Sequence, residues 1–289
     1  MGILKQIYRY THSREYRHNE NYWPDISITR SNSGEISEMF YKKQRQKIKN
    51  IHDIRCCAEN VLIVASGPSI KSTVINADSY DTLIAVNGSY FLNKSIHFTH
   101  YMVVDQDFIL KRKDIIKHAL DNDKLIFITT VACYWRIKNI IHNDIKCHLI
   151  IVEDICEKTY KKKVSVVNID DYDIEKDKIN KDIAFSKDIR KGIADCGTVV
   201  YWAMQAAYFM NAKKIEFAGL DMNNFNLPRF YETYENKQPT KLEDNFTKKT
   251  LPAFMLASTI FKEKGVKLLN LSKNSAIPHK IISKVGKEG

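Results

Sequence analysis

The stretch 194–221 constrains the fold more than any other part of the chain. It sets a small-residue turn, Cys196-Gly197-Thr198, before an apolar helix, and then a short strand over 215–218 closed by Gly219-Leu220-Asp221. A helix opening on Gly-Thr turns its unpaired N–H groups and the positive end of its dipole outward, where an anion is favoured. A short, largely apolar strand after such a helix belongs in the middle of a sheet. Gly219 lets the backbone turn with Asp221 at the strand's carboxyl end. In an open α/β sheet that edge is where ligands bind.

The rest of the chain repeats this alternation. Strands are predicted over 61–65, 83–86, 101–104, 125–129, 147–152 and 266–271, with helices over 108–120, 134–141 and 252–264 and a tail helix from 277. The pattern implies an α/β domain over 59–289, Rossmann-like, with a mostly parallel sheet covered by helices on both faces. Residues 153–193 are charged and mostly irregular, and read as an insertion. Residues 222–250 form a long loop of Asn, Pro, Tyr and charges, the kind of segment that serves as a lid. Residues 1–58 form a basic N-terminal extension. Within it Ile36, Met39, Phe40, Ile48, Ile51 and Ile54 among lysines and Arg45 suggest a basic amphipathic helix, either packed on the domain edge or lying on a membrane surface.

Three predicted strands end in small or polar clusters: Ser66-Gly67-Pro68, Asn87-Gly88-Ser89 and Asp105-Gln106-Asp107. With Cys196, Gly197, Thr198 and Asp221 they would meet at one rim and form a nucleotide site. Gly67 and Gly88 allow close backbone approach, and Asn87 and Ser89 offer directional hydrogen bonds. Neither a Walker loop nor a Gly-x-Gly-x-x-Gly fingerprint is present. Asp105 and Asp107 invite a divalent ion, but carboxylates two apart in extended backbone point opposite ways, so no metal is expected. Asp105 alone is the candidate general base for a sugar hydroxyl. In the lid, Arg229 and Tyr231 suit a phosphate, and Glu232 is a second candidate proton acceptor.

Composition narrows the partners. Forty-five Lys+Arg against 34 Asp+Glu give a formal charge of +11, which suits a polyanion such as nucleic acid, an anionic membrane or a phosphorylated glycolipid. Six cysteines without a Cys-x-x-Cys pair indicate reduced thiols in a cytosolic protein rather than zinc or disulfides. The nine histidines show no ligand or triad spacing, and a Gly-x-Ser-x-Gly elbow is absent. No apolar run approaches a signal peptide or membrane span. A non-catalytic nucleic-acid-binding protein would interleave aromatics with cations on its surface, and only residues 8–22 do so.

Several segments resemble the lipopolysaccharide-core Kdo (3-deoxy-D-manno-octulosonic acid) transferases: Ile84-Ala85-Val86-Asn87-Gly88-Ser89, Phe185-Ser186-Lys187-Asp188-Ile189, Gly219-Leu220-Asp221, Pro228-Arg229-Phe230-Tyr231 and Asn270-Leu271-Ser272. The likeness runs over about 60–283. More distantly, Ser66-Gly67-Pro68-Ser69-Ile70 and the 194–221 unit are similar to bacterial CMP-sialic-acid-dependent lipooligosaccharide sialyltransferases of GT-A-like fold. The resemblance implies CMP-Kdo as donor, a Kdo-lipid A inner core as acceptor, inversion at the anomeric carbon, no metal and no cofactor. It also implies a peripheral site on the cytoplasmic face of the inner membrane. By the sialyltransferase likeness, Ser66, Gly67, Asn87 and the Gly197-Thr198 turn would hold CMP, and Lys187 joins Arg229 and Tyr231 as a substrate contact. The sialyltransferases carry a lid His, and residues 222–250 contain none; the core Kdo transferases have a His where Gly197 stands. A sialyltransferase on the same sheet remains the alternative.

Overall fold

The computed structural model describes residues 2–54, 58–142, 144–240 and 242–285. The chain opens with helix α1 (Ile3–Thr11) and a 3-10 turn at Arg14–Asn19. A three-stranded antiparallel sheet follows, built from β1 (Ile26–Arg30), β2 (Ile36–Tyr41) and β3 (Gln44–Arg45). Here the expected basic helix over 36–54 is corrected. Ile36 and Met39 are buried as predicted, but β2 pairs along its length with β1, from Ile26 opposite Tyr41 to Arg30 opposite Ile36. Lys42 and Lys43 both adopt positive φ, which a helix forbids and a tight hairpin turn requires. A partner strand distant in the periodic pattern decided the matter, and the spacing alone could not reveal it.

The main sheet carries β4 (Asn60–Val64), β5 (Thr82–Val86), β6 (His100–Val103), β7 (Ile126–Thr130) and β8 (His148–Val152) in sequence order. Between them lie α2 (Gln106–Lys111), α3 (Lys113–Leu120) and α4 (Val131–Ile140). A two-stranded hairpin, β9 (Ile174–Lys176) with β10 (Ala184–Ser186), precedes α5 (Val199–Phe209). The chain then enters the sheet on the other side of β4 as β11 (Lys214–Ala218). After α6 (Leu242–Asn245) and α7 (Leu251–Glu263), β12 (Lys267–Asn270) and β13 (Ser283–Lys284) complete the edge. The eight strands run in the order β13-β12-β11-β4-β5-β6-β7-β8, and every pairing is parallel.

Alternation along each strand explains why both faces are covered. Val61 and Ile63 pack with α5 and α7 on one face, while Leu62 and Val64 join Ile109, Ile116, Tyr134 and Ile137 on the other. Gln205, fully buried in α5, shows how the helix is anchored. Its Oε1 accepts Ala194 N and Ser186 N at 2.9 and 2.8 Å, and its Nε2 donates to Ala194 O at 2.8 Å. Both ends of the amide are satisfied, so a polar side chain is held in the core without penalty.

Three further expectations change. The segment 153–193 carries β9 and β10, and Ile174, Phe185 and the preceding Ile183 lie in the α5–α7 core. Its charged residues hid a short hairpin. Among the described residues no helix follows residue 277; the chain turns there and adds β13 beside β12. The predicted helix 108–120 is divided at Arg112, whose φ of −128° and ψ of 46° separate α2 from α3.

Candidate active site

The sheet switches direction at β4. From it the chain runs outward through β5 to β8 on one side, and later through β11 to β13 on the other. The carboxyl ends of β4 and β11 therefore border the crevice where an open α/β sheet binds its ligand. Both ends are tightly tied together. Gly67 N donates to Gly219 O at 3.0 Å, and Gly219 turns with φ +70°. A Cβ on Gly67 would lie 2.5 Å from Gly219 O and 2.4 Å from Asp221 Oδ2, so only glycine fits.

Asp221 stands at this rim but faces the loop. Its Oδ2 accepts Ser69 N at 2.9 Å, its Oδ1 accepts the Ser69 hydroxyl, and Ser69 Oγ lies 2.8 Å from Ser272 Oγ. Asp221 thus clips the Ser66-Gly67-Pro68 turn in place. Ser89 is likewise turned inward: its hydroxyl is 2.8 Å from Val86 N and donates to Val86 O at 3.0 Å, and the residue is fully buried. Cys196 is buried too, and burial pushes its thiol well above its ordinary range. The side chains of these three expected ligands hold the rim rather than line it; their direction follows from partners remote in sequence.

Asn87 behaves differently. It directly follows β5 with φ 47°, and its side-chain Oδ1 is buried with no hydrogen-bond partner among the described residues. A buried amide oxygen without a donor is costly, which marks a place built to receive one. Its carbonyl is held by the Tyr101 hydroxyl at 2.8 Å. Beside it, Gly88 lies directly beneath the lid: a Cβ there would meet Tyr231 Cε1 at 1.9 Å.

The segment 222–250, expected to serve as a lid, touches both halves of the rim. Phe230 N reaches Ser66 O at 3.3 Å, and Tyr231 stacks on Phe91 with ring centroids 5.0 Å apart. Burial pushes the Tyr231 phenol up to about 12, against the opposing pull of Arg229. At the lid's far end Lys249 pairs with Asp195 at 3.1 Å, and the Thr250 hydroxyl donates to Cys196 O at 2.9 Å. Asp195 also accepts Gly197 N at 3.0 Å and Trp202 Nε1 at 3.0 Å, fixing the turn that opens α5. Gly197 is exposed with φ +87°, and Thr198 caps α5 with a hydroxyl that makes no capping hydrogen bond.

Glu232 is buried and accepts both Arg229 N at 3.1 Å and Arg229 Nη1 at 2.9 Å. Its Oε1 also lies 3.6 Å from Arg112 Nη2, a buried nitrogen without a hydrogen-bond partner among the described residues. The Arg112 guanidinium sits 5.3 Å from the Tyr231 ring centre. Two arginines share one carboxylate, so the cluster keeps a net positive charge beside Asn87 and Gly88. Sequence reasoning missed Arg112. The only available signal was an arginine interrupting an otherwise regular helix, and the break at α2–α3 is what turns it to the lid.

Asp105, two residues past β6, is exposed and uses Oδ1 to cap α2, accepting Asp107 N at 2.8 Å and Phe108 N at 3.2 Å. Lys187 is not brought to this rim. It pairs with Glu175 at 2.8 Å and lines a cavity of about 490 Å³ with Tyr208, Phe209 and Lys264, at the carboxyl end of α5 and away from Gly197. The four described cysteines, 133, 147, 156 and 196, are free thiols, with Cys133, Cys147 and Cys156 pushed up to about 12 by burial. Cys56 and Cys57 lie outside the described residues. Among the described residues no helix is long and apolar enough to cross a membrane.

The family model described as 3-deoxy-D-manno-octulosonic acid transferase WaaZ matches residues 43–288. A probable 3-deoxy-manno-octulosonic acid transferase of Escherichia coli is 26% identical over 248 residues, covering 78% of this chain and 82% of the relative. Its Salmonella typhimurium counterpart is 27% identical over 239 residues, covering 78% and 86%. Among solved structures, the sialyltransferase CstII from Campylobacter jejuni, in complex with a substrate analogue, cytidine-5'-monophosphate, aligns at a TM-score of 0.42 with 15% identity, over 78% of this chain and 84% of that one. A second CST-II crystal structure, with a trisaccharide acceptor and CMP, aligns at 0.40 with 13% identity, over 78% and 86%.

Proposed function

This chain belongs to the 3-deoxy-D-manno-octulosonic acid transferase family and is a glycosyltransferase, and from that premise we propose that it moves Kdo from CMP-Kdo to the Kdo-lipid A inner core of lipopolysaccharide, with inversion. The observation that carries the site assignment is the convergence of Asn87, Gly88, Arg112, Arg229 and Tyr231 where the lid meets the switch-point rim.

In this reading Asn87 Oδ1 accepts a donor N–H or O–H of the nucleotide, which removes its buried deficit. Ser66, Gly67 and Pro68 supply a rigid backbone wall, held by Asp221, for the ribose or base. Breaking the bond between the anomeric carbon and CMP leaves charge on the departing phosphate while the sugar gains oxocarbenium character. Arg112 and Arg229 stabilise that phosphate. A carboxylate then takes the acceptor hydroxyl's proton as the new bond forms on the opposite face of the sugar. Asp105 fits that task better than Glu232, because Glu232 is bound to two arginines whereas Asp105 is exposed at the rim. The acceptor, anionic and lipid-anchored, matches the formal charge of +11 and a peripheral place on the inner leaflet.

The test is transfer from CMP-Kdo, generated in situ, to purified Kdo₂-lipid A with EDTA present, read by mass spectrometry. A mass gain of one Kdo is expected. Transfer only from CMP-sialic acid to a galactose-ended acceptor would reassign the donor, and dependence on added divalent metal would overturn the metal-free step. Asp105→Asn is expected to bind CMP normally, as thermal stabilisation would show, and to lose transfer; full transfer would discard Asp105 as the base.

A further inference from the structure

Helix α1 lies before residues 43–288, the part matched by the family model. One of its faces is fixed to the protein: Tyr8 is buried, stacks on His12 with ring centroids 3.9 Å apart, and meets Trp23 at 5.4 Å. Along one flank Lys5 and Arg9 both pair with Glu20. The opposite face is apolar and bare. Ile3, Ile7 and Tyr10 fall at i, i+4 and i+7 with Leu4 beside them, and they are 73%, 45%, 94% and 48% exposed respectively. Singly exposed apolar residues need no explanation, but four in one stripe on a nine-residue helix do.

Charge around the stripe selects the occupant. The 3-10 turn after α1 packs on the segment leaving the carboxyl end of β8, with His18 Nε2 3.0 Å from Lys158 O and Asn19 Oδ1 accepting Tyr160 N at 2.9 Å. Residues 1–20 and 156–163 together hold eight Lys/Arg against three Asp/Glu, and Arg14, Arg17, Lys161 and Lys162 are exposed. A second copy of this chain would bring like charge to like charge. An anionic bilayer satisfies both features, taking the apolar stripe below its headgroups and the cations among its phosphates. The carboxyl end of β8 also shares the sheet's ligand rim, so a surface held there lies on the side of the candidate site.

We propose that α1 is an interfacial docking helix that seats Ile3, Leu4, Ile7 and Tyr10 in an anionic lipid surface. This surface deepens the transferase reading, which supplies the lipid-anchored acceptor, yet lipid binding is measured without any transfer. The full chain is floated with vesicles of phosphatidylcholine alone and of phosphatidylcholine with one quarter phosphatidylglycerol. Binding is expected on the anionic vesicles, to be weakened by salt, and to fall by about tenfold or more in Ile3→Ser/Leu4→Ser/Ile7→Ser. In Tyr10→Trp, added fluorescence quenched by brominated lipid places the helix in the bilayer. Transfer to a deacylated, water-soluble acceptor is expected to be equal in parent and triple variant; its absence in the parent would count against the transferase assignment alone, and its loss only in the triple variant would overturn a purely lipid-docking role for the stripe. Equal flotation of parent and triple variant, or no flotation of the parent on anionic vesicles, overturns the proposal. A dimer in solution that the triple variant dissociates would assign the stripe to a second copy.

Discussion

Arg112 and Gly88 do most to define the site, and neither acts through its own local propensity. Arg112 owes its role to a helix break that carries it to Glu232 and Tyr231. Arg112→Ala is expected to lower kcat by about a hundredfold while leaving the unfolding midpoint nearly unchanged, and Arg112→Lys to recover only part, since a point charge replaces a planar fork. Equal kcat in Ala and wild type would remove Arg112 from the site. Gly88 is small because Tyr231 occupies the space a Cβ needs. Gly88→Ala should displace the lid and cut activity about tenfold or more, and Gly88→Ala/Tyr231→Ala should be no worse than Tyr231→Ala alone. Additive losses in that cycle would show that the two residues act independently. Gly67 and Gly88 were readable as residues where something approaches closely, because glycine at a strand end has few other uses. Ser89, Cys196 and Asp221 were placed at the right edge, but their direction depends on Val86, a packed core and Ser69.

At the scale of elements, the Ser66–Ser69 turn and the α5 turn are rigid because each is tied across the sheet to another strand end or to the lid. Asp221→Ala leaves Ser69 N and its hydroxyl without their acceptor. A loss of about 1–3 kcal/mol is expected, with the donor KM raised more than kcat is lowered. A kcat loss at unchanged KM, measured by initial rates, would place Asp221 in the chemical step instead. The strands and the helix α5 were legible because buried parallel strands and an apolar helix announce themselves over a few residues. The β2–β3 hairpin and the β9–β10 hairpin were not. Ile36 and Met39 suit a helix face as well as a strand, and only pairing with β1 distinguishes them.

For the whole molecule, stability should respond to the buried His100 at the start of β6. Burial lowers its ring to about 4, below the ordinary 6.5, and Nδ1 lies 2.9 Å from Thr99 Oγ1. The folded state therefore keeps His100 neutral while the unfolded chain takes up a proton below 6.5. The stability it contributes is present above pH 6.5 and is lost as the pH falls toward 4. Between pH 7 and 4.5, wild type should lose about 2 kcal/mol relative to His100→Phe by urea unfolding, and parallel curves would refute the assignment. The amino-acid sequence by itself determined the α/β class and the shared rim. Buried strands alternating with helices leave only a parallel sheet, and parallel strands necessarily bring their carboxyl ends to one edge. Tertiary structure alone decided which polar side chains at that edge remain open to a ligand, which cation joins them, and that the N-terminal extension presents α1 rather than a helix at 36–54. Those outcomes depend on contacts between residues far apart in the chain, and no local pattern encodes the direction in which a side chain will find its partner.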